Sequence, residues 1–320
     1  MLDRDVQKVI YAAKRSRAPS YQELGPQAAR ALYERTAPIL DLAPEPLALV
    51  DDWPVEDGLQ ARGRHVLTVR RYCATTPTWS SLQPALLFFH GGGFVIGSIQ
   101  THDRLCRRLA ALSGCIVVSV EYRLAPEHRF PAAVDDAFSA LAWLFREAPS
   151  LGIDPGRIGV GGDSAGGTLA VACAIHARDQ GWPIALQMLI YPGLSPDQGT
   201  ASHRELTEGY LLDASLIEWF FSWYLRGPED RLDWRFAPLV HPDLRGVAPA
   251  WIALAQYDPL VDEGRHYCER LREAGVASQC RLFEGMIHSF FMFGGLVPRA
   301  RAAHQEAAAV MQRYLGATGS

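Results

Sequence analysis

An α/β domain built on a mostly parallel sheet is the fold class that this 320-residue chain predicts, and three observations predict it. From about residue 85 onward, apolar runs of strand length alternate with helix-length segments, the order that gives a parallel sheet covered on both faces. Several of these runs, ALLFFH (85–90) first among them, are apolar without a break, as strands buried on both faces are. The length and a 48% hydrophobic content are also enough for a substantial core.

The elements follow in order. Residues 1 to about 45 carry helix-like patches, Val6, Ile10 and Ala13, then Ala28, Leu32 and Ala37, interrupted by Pro19, Pro26 and Pro38. They predict short helices that need another surface to pack on. HVLTVRRY (65–72) alternates as a half-exposed strand does. CIVVSV (115–120) precedes a helix over 132–147, and RIGVGG (157–162) leads into a helix over 165–178. ALQMLIY (185–191) and AWIALAQ (250–256) are further strands. A helix near 261–273, the strand SQCRLFE (278–284) and a C-terminal helix near 299–315 complete the series. No convincing strand falls between about 196 and 248, where Leu216, Trp219, Phe220 and Trp223 stand at i, i+3, i+4 and i+7 on one helical face. Such a stripe is ordinarily a helix packed on the core. Inserted between strands, it also suits a cap over a site, joined there by the N-terminal helices. The expected organisation is therefore cap helices in 1–45, core in 46–195, a cap insertion in 196–248 and core again in 249–320.

Composition excludes several function classes. With 31 Lys+Arg against 35 Asp+Glu, the net charge of −4 argues against nucleic acid or an anionic membrane as partner. MLDRDVQKVIYAAKRSR lacks the continuous apolar segment of a secretory signal, and no run approaches the roughly 20 apolar residues of a membrane span. A soluble cytoplasmic protein without stable membrane insertion is expected. Six cysteines without a C-x-x-C pair or Cys/His cluster predict reduced thiols and no metal site. An exposed C-terminal helix or terminal strand would serve a homodimer.

The chemistry concentrates in GGDSAGG (161–167). It lies where a strand ends and a helix begins, so Gly162-Asp163-Ser164-Ala165-Gly166 meets both the G-x-S-x-G pattern and the strand–turn–helix context that pattern requires. Ser164 would sit on a strained turn with its Oγ lifted clear of the sheet, and the glycines would let strand and helix approach. His90-Gly91-Gly92-Gly93-Phe94 follows a buried strand, and its glycines leave backbone N–H groups unscreened, ready with that of Ala165 to bind an oxyanion. A phosphate loop is not indicated, because neither G-x-x-x-x-G-K-[ST] nor G-x-G-x-x-G is present.

A serine hydroxyl needs a base, and the base a carboxylate to orient it. Among the downstream histidines, His288 alone follows a strand in a small-residue loop, GMIHSF. His176, His266 and His304 fall in helical segments, and His203 and His241 in the insertion. The same test favours Asp258, which ends a strand, over its rival Asp262 one helical turn on. The resulting chain order, Ser164, Asp258, His288, is that of the α/β-hydrolases.

Together, HGGGF (90–94), EYRLAPEHRFPAAVDDA (121–137), GGDSAGG (161–167), YPGLS (191–195), DPLVDEG (258–264) and IHSF (287–290) resemble the hormone-sensitive-lipase-like, bacterial family IV carboxylesterases. The resemblance spans about residues 80 to 295. It implies an α/β-hydrolase core with a helical cap, Ser164 as nucleophile, His288 as base and Asp258 as its orienter. It also implies Gly92, Gly93 and Ala165 as oxyanion donors, with Gly91 an open alternative. Glu121, Arg123 and Glu127 become structural polar contacts behind the site, and Asp163 places the chain in the GDSAG branch. Ala237 departs from the serine that the family commonly has before Pro-Leu. The expected activity is hydrolysis of short- to medium-chain esters without a cofactor, with Phe94, Trp219, Phe220 and Trp223 around the substrate. The same groups could serve an amidase, formamidase, lactonase or acyltransferase. Plant gibberellin receptors, which resemble this family and bind without hydrolysing, have lost the histidine that this chain keeps as His288.

Overall fold

The computed structural model describes residues 1–55, 66–78 and 81–316. Among them, eight strands form one sheet: β1 (Leu49–Val55), β2 (Leu67–Cys73), β3 (Gln83–Phe89), β4 (Ile116–Glu121), β5 (Ile153–Asp163), β6 (Leu186–Ile190), β7 (Ala250–Tyr257) and β8 (Ser278–Ile287). Their order is β1-β2-β4-β3-β5-β6-β7-β8. β2 pairs antiparallel with both of its neighbours, and every pairing from β4 through β8 is parallel. His65, with which the predicted strand HVLTVRRY starts, lies outside the described residues.

The unbroken apolar runs follow from burial on two sides. Leu87 and Phe89 of β3 belong to a core that also holds residues of α4 (Ala132–Glu147), α5 (Ala165–Gln180) and α8 (Val261–Glu273). Leu86 and Phe88 point the other way, into a core with α3 (Ile99–Ser113) and α9 (Pro298–Leu315). Alternate residues of a strand face opposite sides, so a strand covered on both must be apolar throughout.

β1 and α3 are absent from the sequence reading, for physical reasons. β1 reads LVDDWPV, and Pro54 together with two acids hides a strand pattern. At the sheet edge proline is tolerated, and Asp51 and Asp52 face Arg71 and Arg70 of β2 in register, with N···O distances of 2.7 and 2.6 Å. α3 buries Thr101, His102 and Cys106 among its apolar residues, which blurs its amphipathic stripe.

The N-terminal helices divide. α1 (Arg4–Arg15) sends Val6, Val9 and Ile10 into the core shared with Phe283 and Met286 of β8, and the Asp3 N–H bonds the Gly285 carbonyl at 3.1 Å. α2 (Tyr21–Leu40) starts on a Ser20/Glu23 capping box, bends at Gly25 (φ 73°) and runs over the carboxyl ends of the strands. The 196–248 insertion contains no strand; it holds α6 (Ala201–Glu205) and α7 (Ala214–Tyr224) with 3-10 turns at Pro228–Leu232 and Pro238–Val240.

Asp41, which ends α2, is buried. One oxygen accepts the Leu42 N–H at 2.7 Å and the other has no partner among the described residues. Burial raises its carboxyl to about 6, against the opposing pull of the Leu42 amide, Arg104, His102 and Arg108. A carboxyl whose folded pKa is raised weakens the fold where it ionises, above about pH 6, and not where it is protonated. Asp41→Asn is therefore expected to stabilise the protein at pH 8 by about 2 kcal/mol, a gain that fades as pH falls toward 4. Melting curves of both proteins across that range test it; a gain independent of pH would assign the effect elsewhere.

Candidate active site

β5 ends at Asp163 and α5 begins at Ala165, leaving one residue to make the turn. Ser164 takes φ 54° and ψ −120°, a backbone region that side-chain-bearing residues avoid. The glycines on either side are required by contact. A Cβ on Gly166 would overlap the Phe89 carbonyl at the end of β3, and one on Gly162 would meet the carbonyls of Gly166 and Phe89. Strand and helix therefore close to backbone contact beneath the serine, and its hydroxyl projects beyond the carboxyl edge of the sheet.

His288 follows β8, and its Nε2 lies 3.0 Å from Ser164 Oγ. Its Nδ1 donates to Asp258 Oδ2 at 2.7 Å, which leaves Nε2 free to accept the serine proton. Asp258, just past the end of β7, is fully buried, and its other oxygen takes the Leu260 N–H at 2.9 Å. Its rival Asp262 lies on α8, where it accepts the Ser202 N–H at 2.9 Å and pairs with Arg265 at 3.0 Å. Among the other histidines, His203 faces Glu263 at 3.1 Å, His304 bonds the Phe291 carbonyl at 2.8 Å, and His176 stacks on Phe138.

The glycine loop resolves into distinct roles. The Gly91 N–H donates to Asp163 Oδ1 at 2.8 Å and so points into the protein. The N–H groups of Gly92 and Gly93 make no hydrogen bond among the described residues, and both glycines line the cavity with Ser164 and His288. Ala165 opens α5, where backbone N–H groups lack intrahelical partners. The predicted donors Gly92, Gly93 and Ala165 thus stand around the serine, and the alternative Gly91 is already engaged.

Above the serine is a cavity of about 230 Å³. α2 lines it with Tyr21, Tyr33, Thr36 and Leu40; the insertion supplies Leu211, Leu212, Leu216, Ile217 and Phe220; Ile96, Leu260 and Phe293 come from loops of the core.

Residues 86–292 match the α/β hydrolase fold family. An ethyl acetate hydrolase of Pseudomonas putida is 39% identical over 90% of both chains. Among solved structures, an ester hydrolase from the metagenome of Lake Arreo, complexed with a bipyridine phosphonate derivative, is 38% identical with a TM-score of 0.92 over 99% of this chain and 100% of its own. A hyperthermophilic esterase from Pyrobaculum calidifontis is 38% identical with a TM-score of 0.91 over 98% of each chain. The chain is an α/β-hydrolase of the hormone-sensitive-lipase-like, bacterial family IV carboxylesterases.

Three of the residues expected around the substrate stand elsewhere in the hydrolase. Phe94 is buried outside the cavity wall, stacked on Tyr224 at 4.0 Å. Trp219 and Trp223 meet edge to face at 6.4 Å and are also outside the wall. Only Phe220 of the four lines the cavity. α7 is apolar nearly all round, so its spacing does not specify which stripe turns inward. The buried stripe is Ile217, Phe220 and Tyr224. The tyrosines and Thr36 of α2 were not singled out from sequence, because a cap helix meets its site only through the tertiary fold.

A polar network backs the loop of the hydrolase. Asp163 accepts from Gly91 and faces His102 Nε2 at 3.1 Å. Burial acts against its charge, but His102, His90 and the Gly91 amide together hold its carboxyl below the usual range. Burial, reinforced by nearby His102, pushes His90 down to about 3, so it is neutral and its Nδ1–H donates to the Gly91 carbonyl at 2.8 Å. The polar residues of the 121–137 stretch behave as structural contacts: Glu121 accepts the Ile99 N–H, Arg123 pairs with Asp136, and Glu127 with Arg30 of α2. Arg30 also donates to the Val95 carbonyl at 2.7 Å, tying the cap helix to the end of the glycine loop. Glu263, buried on α8, accepts the N–H groups of Leu194 and Ser195 and joins them to His203 of the insertion.

Gly93 has φ 59°, and a Cβ there would run into the Phe220 ring. Gly93→Ala is expected to lower kcat/KM about 100-fold, the size of losing one oxyanion donor. Gly114→Ala, at φ 72° in open space on the far end of α3, should lower the melting temperature only. Steady-state kinetics of both variants test the contrast. Among the described residues, no helix is long and apolar enough to cross a membrane, and no group of three or more His, Cys, Asp or Glu is placed to hold a metal ion.

Proposed function

We propose that this hydrolase is a serine carboxylesterase that cleaves short- to medium-chain esters through an acyl-enzyme on Ser164. The observation that carries the reading is the continuous Ser164–His288–Asp258 hydrogen-bond relay at the base of a small, mainly apolar cavity. His288 Nε2 takes the hydroxyl proton as Oγ attacks the ester carbonyl, and the oxyanion meets the N–H groups of Gly92, Gly93 and Ala165. The tetrahedral intermediate collapses, and the alcohol leaves with the proton from His288. Water then repeats both steps on the acyl-enzyme and releases the acid. Asp258 keeps Nδ1 protonated and stabilises the imidazolium at each stage.

The chain-length range rests on volume. At about 230 Å³ the cavity is smaller than the roughly 300–1,000 Å³ of sites that take drug-sized ligands. The ethyl acetate hydrolase named above points the same way. α2 and the 196–248 insertion act as the cap, since both contribute walls. All six cysteines are free thiols, which suits a cytoplasmic location. Among the described residues the outer edge of β8 has no strand partner and offers a second copy a place to pair, which size-exclusion chromatography with light scattering would test.

The deciding experiment pairs p-nitrophenyl acetate, hexanoate and dodecanoate with a fluorophosphonate label. Acetate and hexanoate are expected to turn over faster than dodecanoate, and peptide mapping to place the label on Ser164. Fastest turnover of dodecanoate would overturn the chain-length reading; a label on another residue would overturn the nucleophile.

A further inference from the structure

Half of the residues in the cavity wall are leucine, isoleucine or phenylalanine, which makes its few hydroxyl groups conspicuous. Thr36 Oγ1 is already bonded to the Leu32 carbonyl at 3.0 Å. Tyr33 is different. It lines the cavity with Ser164, and its ring stands edge-on at 6.4 Å to His102, the histidine that pairs with Asp163. The ring is therefore anchored at the catalytic end, while its hydroxyl has no hydrogen-bond partner among the described residues. Tyr21, also in the wall and likewise without a partner, stands further toward the start of α2.

Both phenols remain donors. Burial raises Tyr33 well above the ordinary phenol range, helped by the negative charge of Asp163, and burial raises Tyr21 to about 12. A donor in an apolar wall is disfavoured when a bound group covers it without pairing to it. A purely alkyl ester does that. An ester with a second acceptor oxygen close to the scissile carbonyl satisfies the hydroxyl instead, and sites built to hydrogen-bond a substrate discriminate strongly against analogues that lack the acceptor.

We propose that the Tyr33 hydroxyl is a specificity-determining donor that favours esters carrying an ether or carbonyl oxygen near the scissile group over their all-carbon isosteres. The proposal rests on Ser164 as the nucleophile and names the substrate class for that site. The acceptor oxygen could sit on the acyl or on the alcohol side, and two matched pairs separate these: ethyl methoxyacetate against ethyl butanoate, and 2-methoxyethyl acetate against butyl acetate.

For each pair, the ratio of kcat/KM is measured in wild type, Tyr33→Phe and Tyr21→Phe. Intrinsic reactivity of the oxygenated ester cancels when the ratios are compared between proteins. Tyr33→Phe keeps the ring and its contact with His102, so the fold is retained and circular dichroism confirms it. The expected result is a fall of about 5- to 10-fold in one of the two ratios for Tyr33→Phe, the size of one hydrogen bond. Unchanged ratios in Tyr33→Phe, or a fall confined to Tyr21→Phe, overturn the proposal. Turnover that survives in Ser164→Ala would instead overturn the reading of the catalytic serine, so the two failures are distinguishable.

Discussion

Replacing Ser164 with alanine is expected to lower kcat on p-nitrophenyl acetate by about five to six orders of magnitude, because the nucleophile and its base act as a unit. The same logic makes the loss non-additive: Ser164→Ala/His288→Ala should be scarcely slower than Ser164→Ala alone. The fold should persist, because alanine accepts no worse a backbone than serine at φ 54°, ψ −120°. Ser164→Gly should melt above Ser164→Ala, since glycine occupies that region without the strain of about 1–3 kcal/mol that a side chain brings. Active-site titration and calorimetry read both effects. Catalysis within tenfold of wild type in Ser164→Ala would remove the serine from the mechanism.

Asp258→Asn is expected to lower kcat about 10⁴-fold while leaving the backbone in place. An amide at this position directs its N–H₂ at His288 Nδ1, so the ring proton moves to Nε2, which then cannot accept from Ser164. The other contact of the side chain, the Leu260 N–H at 2.9 Å, can still be satisfied by the amide oxygen. Asp262→Asn is the matched comparison. Its carboxylate bonds Ser202 and Arg265 at the start of α8 and does not touch His288. That variant should lose some stability, about 1 kcal/mol or less for a partly exposed pair, and keep kcat within a fewfold of wild type. Comparable losses in the two variants would contradict the orienting role of Asp258.

Much of the fold was legible because each buried strand must be apolar on both faces, and each helix had room to show its own period. The helices over 132–147 and 261–273 occur at those bounds. β1 was hidden because its stability comes from arginines on the neighbouring strand, a term outside any local window. α3 was hidden by the polar residues it buries against the glycine loop. In the site, the turn around Ser164 was legible because glycine at 162 and 166 answers a contact between sequence neighbours and one strand. The stripe on α7 was not, because rings on every side of a helix leave its orientation to whatever packs against it.

The sequence by itself determined the chemistry on offer: a serine on a strand–turn–helix junction, a glycine loop after a buried strand, and an acid and a histidine after later strands. Those are local facts, set by spacing and by the clearance that glycine alone provides. Only the tertiary structure decided which members engage. It put Asp258 rather than Asp262 against His288, turned the Gly91 amide toward Asp163, faced Phe220 inward while Phe94, Trp219 and Trp223 packed elsewhere, and brought Tyr33 from a distant helix into the wall of the serine's cavity. Hydrogen bonding and close packing act over a few ångströms between residues far apart in the chain, and no periodicity along the chain encodes them.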